Sequence, residues 1–383
     1  MQISEVNENA IIAQEYKNLL RNSYQSLTAE DKKLIRLAFD TAVDAHKDQR
    51  RRSGEPYIMH PIAVAQIVAD QIGLGATSIA AALLHDVVED TSLTLDDIAL
   101  MFGDTVAKIV DGLTKISKLS KDKRVSIQAE NFKKMLLTMN DDVRVILIKI
   151  ADRLHNMMTL TAMPEEKQVR IASETLYIYA PLAHRIGMFN IKTQLEDLAL
   201  KYTEPEVYND IELKIKESEE ERLSYIKNFT KQLQKHLGKE RITFKTEGRF
   251  KSMFSIRRKM QIKNRKFDEV FDRFAVRIIY KSTQKQEKFL AWKIYSIVTD
   301  HFQPNPMRLR DWISSPKSTG YEALHITVVG PGGKWVEVPI RSERMHEIAE
   351  KGYAAHFKNK PGNKDEGGME SWLNRLRDVL KSD

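Results

Sequence analysis

The first 200 residues have the spacing of amphipathic helices. In the segment DKKLIRLAFDTAVDAH, apolar side chains recur every three or four residues, at Leu34, Leu37, Ala38, Ala42 and Val43. This period predicts a helix with one buried face. The same spacing predicts further helices in SIAAALLHDVVED, LDDIALMFGDTVAKIVDGLTKI, AENFKKMLLTM and VRVILIKIADRLHNMMTL, and a connecting helix behind the proline of MPEEKQVRIASETLYIYAPLAHRIGM. The pattern therefore indicates an all-α first region.

The hydrophobic period changes to two after about residue 240. RFAVRIIY, ALHITVVG and KWVEVPIRS alternate apolar and polar positions, which is typical of half-buried strands. In the third segment we expect Val336, Val338 and Ile340 to face inward, with Glu337 on the other face. QEKFLAWKIYSIVTDHF has the helical period, so the second region is predicted to be an α+β domain with a mixed, mostly antiparallel sheet.

Composition limits the chemistry of this 383-residue chain. Cysteine is absent, so disulfides and thiolate metal sites are excluded, and any metal must be held by His, Asp, Glu or Asn. No apolar run approaches the roughly 18 residues that span a bilayer. The N-terminus lacks the basic start and continuous apolar core of a secretory signal. These features favour a cytoplasmic location.

The net charge of +8 is unevenly distributed. Between Lys245 and Lys266, nine Lys and Arg residues accompany one acid, Glu247. Such a run is compatible with a solvated helix face, a nucleic-acid footprint or a phosphate-binding pocket. Composition alone leaves these three alternatives open.

The segment LLHDVVEDT carries a histidine and three carboxylates among apolar residues. On one continuous helix, His85 and Glu89 would lie one turn apart on the same face, as would Asp86 and Asp90. A lone His-Asp pair is more often structural than functional. The two additional acids one turn further along favour a site.

A second helix carries one polar stripe, Asp152, Asn156 and Thr159, on an otherwise buried surface. His60 follows a Gly- and Pro-containing loop and offers a further neutral nitrogen. Two histidines and two aspartates form a mixed nitrogen and oxygen set that suits a first-row divalent ion, with Mn²⁺, Zn²⁺ and Fe²⁺ all compatible. Such an ion acidifies water and polarises phosphoryl oxygens.

Four segments in order, RRSGEPYIMHP, LLHDVVEDT, VDGLTKI and KIADRLHNMMTL, resemble the HD superfamily of metal-dependent phosphohydrolases. More specifically, they are similar to the hydrolase domain of bifunctional RelA/SpoT-type alarmone enzymes. The resemblance implies Mn²⁺ and removal of pyrophosphate from the 3′ position of (p)ppGpp. It implies four metal ligands, His60, His85, Asp86 and Asp152, and two water-activating acids, Glu89 and Asp90. The implied nucleotide contacts are Arg51, Arg52, Ser53, Asn156 and Thr159. Synthetase-only relatives lose the acidic pair that this chain keeps, which favours an active hydrolase.

The second region contains a cationic array that runs into a helix. Cations near a helix start suit a polyphosphate, because the backbone amides there add positive potential. No Walker-type Gly-rich loop occurs. Asp272 and Glu337, on neighbouring strands, are a reasonable Mg²⁺-binding pair. The remaining candidates are the cations and hydroxyl of EGRFKSMFSIRRKM and the polar residues of RDWISSPKSTGYEALH: Arg249, Lys251, Ser255, Lys259, Arg310, Lys317, Tyr321 and His325.

GRFKSMFSIRRK, FDRFAVRI, RDWISSPKSTGYEALH and VEVPIRSERMHEIAEKGYAAHFKNK are similar to the synthetase domain of the same RelA/SpoT family. The implied reaction moves pyrophosphate from ATP to the 3′-hydroxyl of GDP or GTP and releases AMP. The resemblance implies that Arg249 and Arg277 stack on the adenine, and that phosphates are bound by Lys251, Ser255, Lys259, Arg310 and Lys317. It implies that Tyr321 stacks on the guanine and that His325 contacts the acceptor. Asp272 and Glu337 would bind Mg²⁺. Glu337 is also the candidate for activating the 3′-hydroxyl.

Three residues depart from the family pattern. Met158 stands where relatives often have Arg, Pro339 where they usually have Gln, and Thr319 where they usually have Asn. Proline lacks a backbone donor and a side-chain amide. The departures put contacts beside the hydrolase nucleotide and recognition of the synthetase acceptor in question.

The resulting hypothesis is a bifunctional enzyme with a hydrolase domain over residues 1–166, a helical connector over 167–205 and a synthetase domain over 206–383. One alternative is that only the hydrolase is fully active. Another is a non-catalytic RNA- or ribosome-binding protein. The expected partners are ATP, GDP or GTP and (p)ppGpp, with ribosome association through regions outside this chain, and without membrane or direct DNA binding. We expect the connector to couple the two sites.

Overall fold

The structure is a computed structural model that describes residues 2–23, 26–120, 142–264, 266–270, 274–317, 319–351 and 374. The chain divides into two compact units, and the division lies between Leu195 and Glu196. The predicted boundaries at residues 166 and 205 stay a prediction. The predicted helix AENFKKMLLTM lies outside the described residues.

The first unit is helical, as the periodicity predicts. A π-helical turn, Ile67–Ile72, extends the third helix, and another, Thr175–Tyr179, joins the ninth to the tenth. The helices are α1 Gln2–Asn22, α2 Ala29–Ala45, α3 Met59–Gln66, α4 Ala76–Leu83, α5 Val87–Asp90, α6 Leu95–Phe102, α7 Asp104–Ser120, α8 Arg144–Met158, α9 Glu165–Glu174 and α10 Ala180–Arg185. The next helix, α11 Phe189–Thr203, contains the division between the two units. No described helix is both long and apolar enough to cross a membrane.

Helix α2 buries a face that overlaps the predicted stripe only in part. Ile35, Ala38, Phe39 and Ala42 are buried, whereas Leu37 is 43% exposed. The prediction of the buried stripe was therefore partly wrong. The segment has apolar residues on two overlapping faces, and the face with the larger aromatic surface is the one that packs.

The predicted segment LDDIALMFGDTVAKIVDGLTKI is two helices rather than one. Helix α6 begins with a capping box, in which Thr94 accepts from the backbone of Asp97 and the Asp97 carboxylate accepts in return. It ends where the Gly103 N–H bonds to the Ala99 carbonyl at 2.9 Å. Gly103 has φ +83°, a conformation that glycine adopts without steric cost. This residue separates α6 from α7.

The second unit packs helices against one face of a five-stranded sheet. Its helices are α12 Pro205–Glu217, α13 Glu219–Leu237, α14 Met253–Lys263, α15 Glu287–His301 and α16 Glu343–Lys351. Its strands are β1 Phe244–Phe250, β2 Phe274–Tyr280, β3 Arg310–Asp311, β4 Leu324–Val329 and β5 Trp335–Ser342. Short 3₁₀ turns are Leu160–Ala162 in the first unit and Gly238–Glu240, Phe267–Glu269, Gln284–Gln286, Pro306–Arg308 and Pro331–Gly333 in the second.

The sheet has the order β1-β2-β5-β4-β3. Strand β2 runs parallel to β5, and the other neighbouring pairs are antiparallel. The prediction of a mixed, mostly antiparallel sheet is therefore confirmed. It contains the three predicted strand segments as β2, β4 and β5.

The two faces of the sheet have different roles. Val336, Val338 and Ile340 are fully buried in a core that includes Phe229 of α13 and Ile294 of α15. Because side chains alternate along a strand, the residues between them point to the opposite face. The polar residues of β1, β2, β4 and β5 that the sequence singled out therefore share one face of the sheet.

Candidate active sites

The helix predicted through SIAAALLHDVVED is interrupted at the histidine. Helix α4 ends at Leu83 and α5 begins at Val87. The His85 ring Nδ1 lies 2.8 Å from the Ala82 carbonyl oxygen, and the Val87 N–H bonds to the Leu84 carbonyl at 3.1 Å. The prediction of one continuous helix was wrong because a side chain bonds a carbonyl that an uninterrupted helix would use.

This hydrogen bond also determines how His85 presents its ring. The Ala82 carbonyl only accepts, so Nδ1 carries a proton, and Nε2 is the nitrogen that can exchange its own proton for a metal. Nε2 is buried without a hydrogen-bond partner in the described structure. It faces Asp86, whose Oδ2 lies 3.1 Å away. A bare lone pair directed at a carboxylate is unfavourable, and either a proton or a metal cation on Nε2 removes this repulsion.

The four predicted ligands converge in the first unit. One ligand atom from each of His60, His85 and Asp152 lies within 4.8 Å of the others. The His60 Nε2 is 3.2 Å from Asp152 Oδ1 and 3.8 Å from Asp86 Oδ2. Two imidazole nitrogens with two carboxylates match the donor set of a first-row divalent metal. An HD-type divalent metal centre therefore fits these residues.

Both carboxylates of the cluster are ionised. Burial by itself would raise the pKa of Asp152, but Lys149 and the histidines hold this pKa well below its ordinary value. The Lys149 Nζ lies 2.7 Å from Asp152 Oδ2. Burial likewise opposes ionisation of Asp86, and His85 lowers its pKa. Burial also opposes the charged form of His85, yet Asp86 and Asp152 raise its pKa to about 9.

Tyr57 is a site residue that the sequence reading missed. Its hydroxyl donates to Asp86 Oδ2 at 2.7 Å and lies 3.3 Å from Asp90 Oδ2. Burial, followed by the Asp86 charge, raises the pKa of Tyr57, so the phenol keeps its proton. It links the metal-ligand position to one of the two acids after the HD pair. Its position in YIMHP, three residues before His60, was the available signal.

His155 is a second missed residue, although it lies in the quoted motif ADRLHN. Its Nδ1 is 2.8 Å from His60 Nδ1 and 3.2 Å from Arg51 Nη1. Burial, then the charges of His60 and Arg51, lower the pKa of His155 to about 3. The ring is therefore neutral. The signal was its spacing, three residues after Asp152 on the same helix face.

The cluster opens into a cavity of roughly 360 Å³. Predicted nucleotide contacts Arg51, Asn156 and Thr159 line it, together with Glu89 and Asp90. Further cations and apolar residues that the sequence reading did not assign also line it: Lys149, Arg153, Leu160, Met163, Arg170 and Ile171.

Other predicted positions of the first unit lie apart from this cavity. Arg52 and Ser53 are exposed in the preceding turn. Met158 is 43% exposed and lines a different cavity, next to His155 and helix α1. The departure from the family pattern at Met158 therefore lies at the second cavity.

In the second unit, Glu337 lies at the centre of the polar sheet face. Its Oε1 is 2.9 Å from His325 Nδ1, and its Oε2 is 3.2 Å from Lys251 Nζ. The Tyr321 hydroxyl is 2.7 Å from His325 Nε2. The His325 hydrogen bond, opposed by burial and assisted by Lys251, lowers the pKa of Glu337 to about 2. Four predicted site residues therefore form one hydrogen-bonded chain.

A cluster of arginines surrounds Glu350 on the same unit. Its Oε1 accepts from Arg277 and Arg341 at 2.9 Å each and lies 3.6 Å from Arg249 Nη1. Burial and then the Arg341 charge lower the pKa of Arg277 to about 10. The sequence reading assigned Arg249 and Arg277 but missed Arg341 and Glu350, both within its last quoted motif. The available signal was that Arg341 lies two residues after Pro339 and four after Glu337, and therefore on the same face of β5.

The remaining predicted residues of this unit are distributed around these two groups. Ser252 caps α14, and its hydroxyl lies 2.9 Å from the Ser255 hydroxyl. The Lys317 Nζ lies 5.3 Å from the Tyr321 ring centre. Arg310 is exposed, and its guanidinium donates to the Met307 and Leu309 carbonyls. Lys259 is half-buried on α14. Asp272 lies outside the described residues.

One of the two departures in the second unit, Pro339, lies on the polar face of the sheet. Pro339 is paired opposite His325 on β4. Strand β2 runs parallel to β5, with Ala275 beside Glu337 and Ile278 beside Ile340. In this register Pro339 lies beside Arg277. A proline donates no ladder bond. The Thr319 hydroxyl is buried without a hydrogen-bond partner among the described residues.

Comparison with known proteins gives two family matches in succession. Residues 38–189 match an HD domain, and residues 248–364 match the region found in RelA / SpoT proteins. These matches enclose the two groups of polar residues described above.

Named relatives match nearly the whole chain. It is 43% identical over 357 residues to a probable guanosine-3′,5′-bis(diphosphate) 3′-pyrophosphohydrolase of Synechocystis sp., covering 90% of this chain and 46% of the relative. It is 42% identical over 339 residues to the bifunctional (p)ppGpp synthase/hydrolase SpoT of Escherichia coli K12, covering 88% and 47%. A GTP pyrophosphokinase of Myxococcus xanthus is 41% identical over 353 residues, covering 90% and 46%. The chain spans about half the length of these relatives.

Two solved structures match parts of the chain. A metazoan orthologue of SpoT that hydrolyses ppGpp has a TM-score of 0.32 and 26% identity over 46% of this chain and 88% of its own. Small alarmone synthetase 1 from Bacillus subtilis, bound to its product pppGpp, has a TM-score of 0.28 and 20% identity over 42% and 86%. Both scores are low, so the family assignment rests on the sequence relatives and the two domain matches. The chain is thus an HD domain followed by the region found in RelA / SpoT proteins, and it resembles proteins of the RelA/SpoT type over most of its length.

Proposed function

We propose that the chain both hydrolyses and synthesises (p)ppGpp, at two separate sites. The observation that supports this most strongly is that each unit assembles its own ionised acidic group beside cations. Asp86 and Asp152 lie with two histidines in the first unit, and Glu337 lies with Lys251 and His325 in the second. An inherited fold without activity would have no reason to keep both sets.

In the proposed hydrolase site, His60, His85, Asp86 and Asp152 would hold Mn²⁺. This ion would supply Lewis-acid activation of water and phosphoryl groups. Arg51, Asn156 and Thr159 line the cavity and would orient the nucleotide. Glu89 and Asp90 line the same cavity and would orient the attacking water and accept its proton. Tyr57, whose hydroxyl donates to Asp86 and whose oxygen lies 3.3 Å from Asp90, would hold these two acids close together.

In the proposed synthetase site, the acceptor 3′-oxygen attacks the β-phosphorus of ATP, the bond from that phosphorus to the α-phosphate oxygen breaks, and AMP leaves. Arg249 and Arg277 would stack on adenine, and Tyr321 on guanine. Lys251, Ser255, Lys259, Arg310 and Lys317 would neutralise phosphate charge, and His325 would contact the acceptor. Alignment and charge neutralisation would supply most of the rate.

Glu337 and Asp272 are the proposed Mg²⁺ ligands of the synthetase. A carboxylate with a pKa of about 2 is a weak proton acceptor near neutral pH. Glu337 could accept the 3′-hydroxyl proton only after substrate phosphates draw away Lys251 and His325. The ligand-free geometry therefore supports metal binding by Glu337 more directly than general-base action.

The proposed partners are ATP, GDP or GTP and (p)ppGpp, in a cytoplasmic setting. Direct DNA binding is not expected, and ribosome association would require regions beyond this chain. These assignments follow from the proposed activities.

Replacing Asp152 with Asn should remove hydrolysis and leave synthesis. Asn keeps the shape of Asp152 but has no negative charge to hold a divalent cation. We expect Mn²⁺-dependent pyrophosphate release from ppGpp to fall at least about 100-fold, with AMP formation from ATP and GDP within about twofold. Asp44→Asn, on the exposed end of α2, is the matched control. Unchanged hydrolysis in Asp152→Asn would contradict the ligand assignment.

Mn²⁺ affinity should rise with pH between 6 and 8. In the metal-free protein the pKa of His85 is raised to about 9, so the ring is protonated in this range, and metal binding must release that proton. One released proton corresponds to about a tenfold gain in affinity per pH unit. Calorimetric titration of Mn²⁺ in buffers of different ionisation enthalpy measures the proton count. A pH-independent affinity with no proton release would refute the expected linkage.

Replacing Glu337 with Gln should remove synthesis and leave hydrolysis. The amide keeps the volume but cannot bind Mg²⁺ as a charged ligand, and it breaks the pair with Lys251. We expect AMP formation to fall at least about 100-fold, in the range typical for loss of a group that stabilises developing charge. Glu343→Gln, exposed at the start of α16, is the control. Retained synthesis would show that Glu337 is not part of the site.

The alternative of a strong hydrolase with a weak synthetase is favoured by one observation, Pro339 opposite His325. Pro339→Gln would restore a backbone donor and a side-chain amide at this level of the sheet. If the alternative holds, kcat/KM for GDP or GTP in synthesis should rise several-fold, while hydrolysis stays constant. An equal or lower synthetic rate in Pro339→Gln would eliminate the proline as the cause of a weak synthetase.

A further inference from the structure

One guanidinium contacts the hydrogen-bond partners of two metal-ligand candidates. The Arg51 Nη1 lies 3.2 Å from His155 Nδ1, and this nitrogen lies 2.8 Å from His60 Nδ1. The Arg51 Nη2 donates to Asn156 Oδ1 at 3.0 Å, and the Asn156 amide donates to Asp152 Oδ1 at 2.6 Å. Two hydrogen-bonded chains therefore start at the same side chain and end at His60 and at Asp152.

The direction of the first chain follows from what each group can donate. Arginine has only donors, so His155 Nδ1 must accept from Arg51. A proton on His155 Nδ1 would face the guanidinium N–H. His60 Nδ1, which shares the same acceptor at 2.8 Å, then carries its own proton. In neutral His60 this leaves the lone pair on Nε2, the nitrogen 3.2 Å from Asp152 Oδ1.

The second chain of hydrogen bonds, from Arg51 through Asn156, restrains Asp152, the other metal-ligand candidate. Asn156 can accept from Arg51 with its oxygen only if its amide nitrogen points to Asp152. This orients one lone pair of Asp152 Oδ1 toward the amide and leaves the other toward the histidines. Lys149 holds the second carboxylate oxygen at 2.7 Å. The carboxylate is therefore restrained at both oxygens.

We propose that Arg51 and His155 are positioning residues of the metal centre: Arg51 holds His155 and Asn156, and these set the ring orientation and tautomer of His60 and the orientation of Asp152. This proposal rests on the proposed metal-dependent hydrolase. Outer partners of metal-bound imidazoles fix the tautomer in this way. The guanidinium fork is required, because a lysine ammonium is a point charge that does not reproduce two diverging contacts in one plane.

The same residue lines the cavity in which the nucleotide is proposed to bind. A phosphate that takes a hydrogen bond from Arg51 competes with His155 and Asn156 for it. Occupancy of the nucleotide position and affinity for the metal are then linked, and by reciprocity each changes the other by the same factor.

The first test measures Mn²⁺ binding by calorimetry on the nucleotide-free full chain. His155→Leu removes the acceptor, and we expect the dissociation constant for Mn²⁺ to rise 10- to 100-fold. Arg51→Lys should raise it by a similar factor. His155→Asn keeps an acceptor near the position of Nδ1 and should stay within about threefold of the wild type. Arg36→Lys, whose guanidinium pairs with Asp40 on the exposed face of α2, is the matched control and should have no effect.

The second readout separates positioning from folding. In the metal-free wild type, imidazole ¹⁵N NMR should show the His60 proton on Nδ1, and in His155→Leu it should redistribute between the two nitrogens. The melting temperature in chelator should stay close to that of the wild type in Arg51→Lys and His155→Asn. If His155→Leu unfolds, Arg51→Lys decides the question with the same two measurements.

Wild-type Mn²⁺ affinity in both His155→Leu and Arg51→Lys, or a His60 proton on Nε2 in the wild type, would overturn the proposal. These outcomes are distinct from failure of the proposed function. A wild-type chain that binds Mn²⁺ but does not release pyrophosphate from ppGpp refutes the hydrolase and leaves the positioning roles intact.

Discussion

The first unit depends on keeping the Asp152 carboxylate ionised inside an apolar helix bundle. Helix α8 buries Val145, Ile146 and Ile148 together with Asp152. A buried charge without a partner destabilises a fold by several kcal/mol. Lys149, the amide of Asn156 and the two histidines surround the carboxylate. The need to stabilise the buried Asp152 charge therefore links polar residues on three separate segments. A cation at their centre would satisfy the lone pairs that remain.

The periodic features of the sequence were sufficient for much of the fold. The strands β2, β4 and β5 and the helical first unit follow from alternation and from three- to four-residue spacing, which are local properties. The break at His85 was not accessible in this way, because it arises when a side chain replaces a backbone donor at Ala82. The buried face of α2 was also misassigned. Its sequence offers two overlapping apolar faces, and only tertiary packing chooses between them.

The site residues divide along the same line. The proximity of His60, His85, Asp86 and Asp152 could be predicted from residue type and motif order, and their role as metal ligands stays a prediction. Tyr57 and His155 could not be predicted, because their importance lies in contacts with groups far along the chain. Arg51 and His155 are 104 residues apart in sequence. A hydrogen bond between residues so far apart produces no periodic pattern in the sequence, so one sequence read by itself does not reveal it.

Pairing of the cations between Lys245 and Lys266 bears on the three alternatives that composition left open. Lys245 pairs with Glu247, Lys251 with Glu337, and Arg257 with Glu204. A nucleic-acid footprint requires cations that reach solvent as a stripe, whereas these are bound to carboxylates of the same unit. Around Glu350, however, three arginines share one carboxylate. That excess of positive charge is local and half-buried, which favours a compact polyphosphate over an extended polyanion. The acids that hold these cations in the free protein also set a condition on the ligand. A phosphate must displace Glu337 from Lys251, and Mg²⁺ bound to Glu337 would compensate the carboxylate it leaves behind.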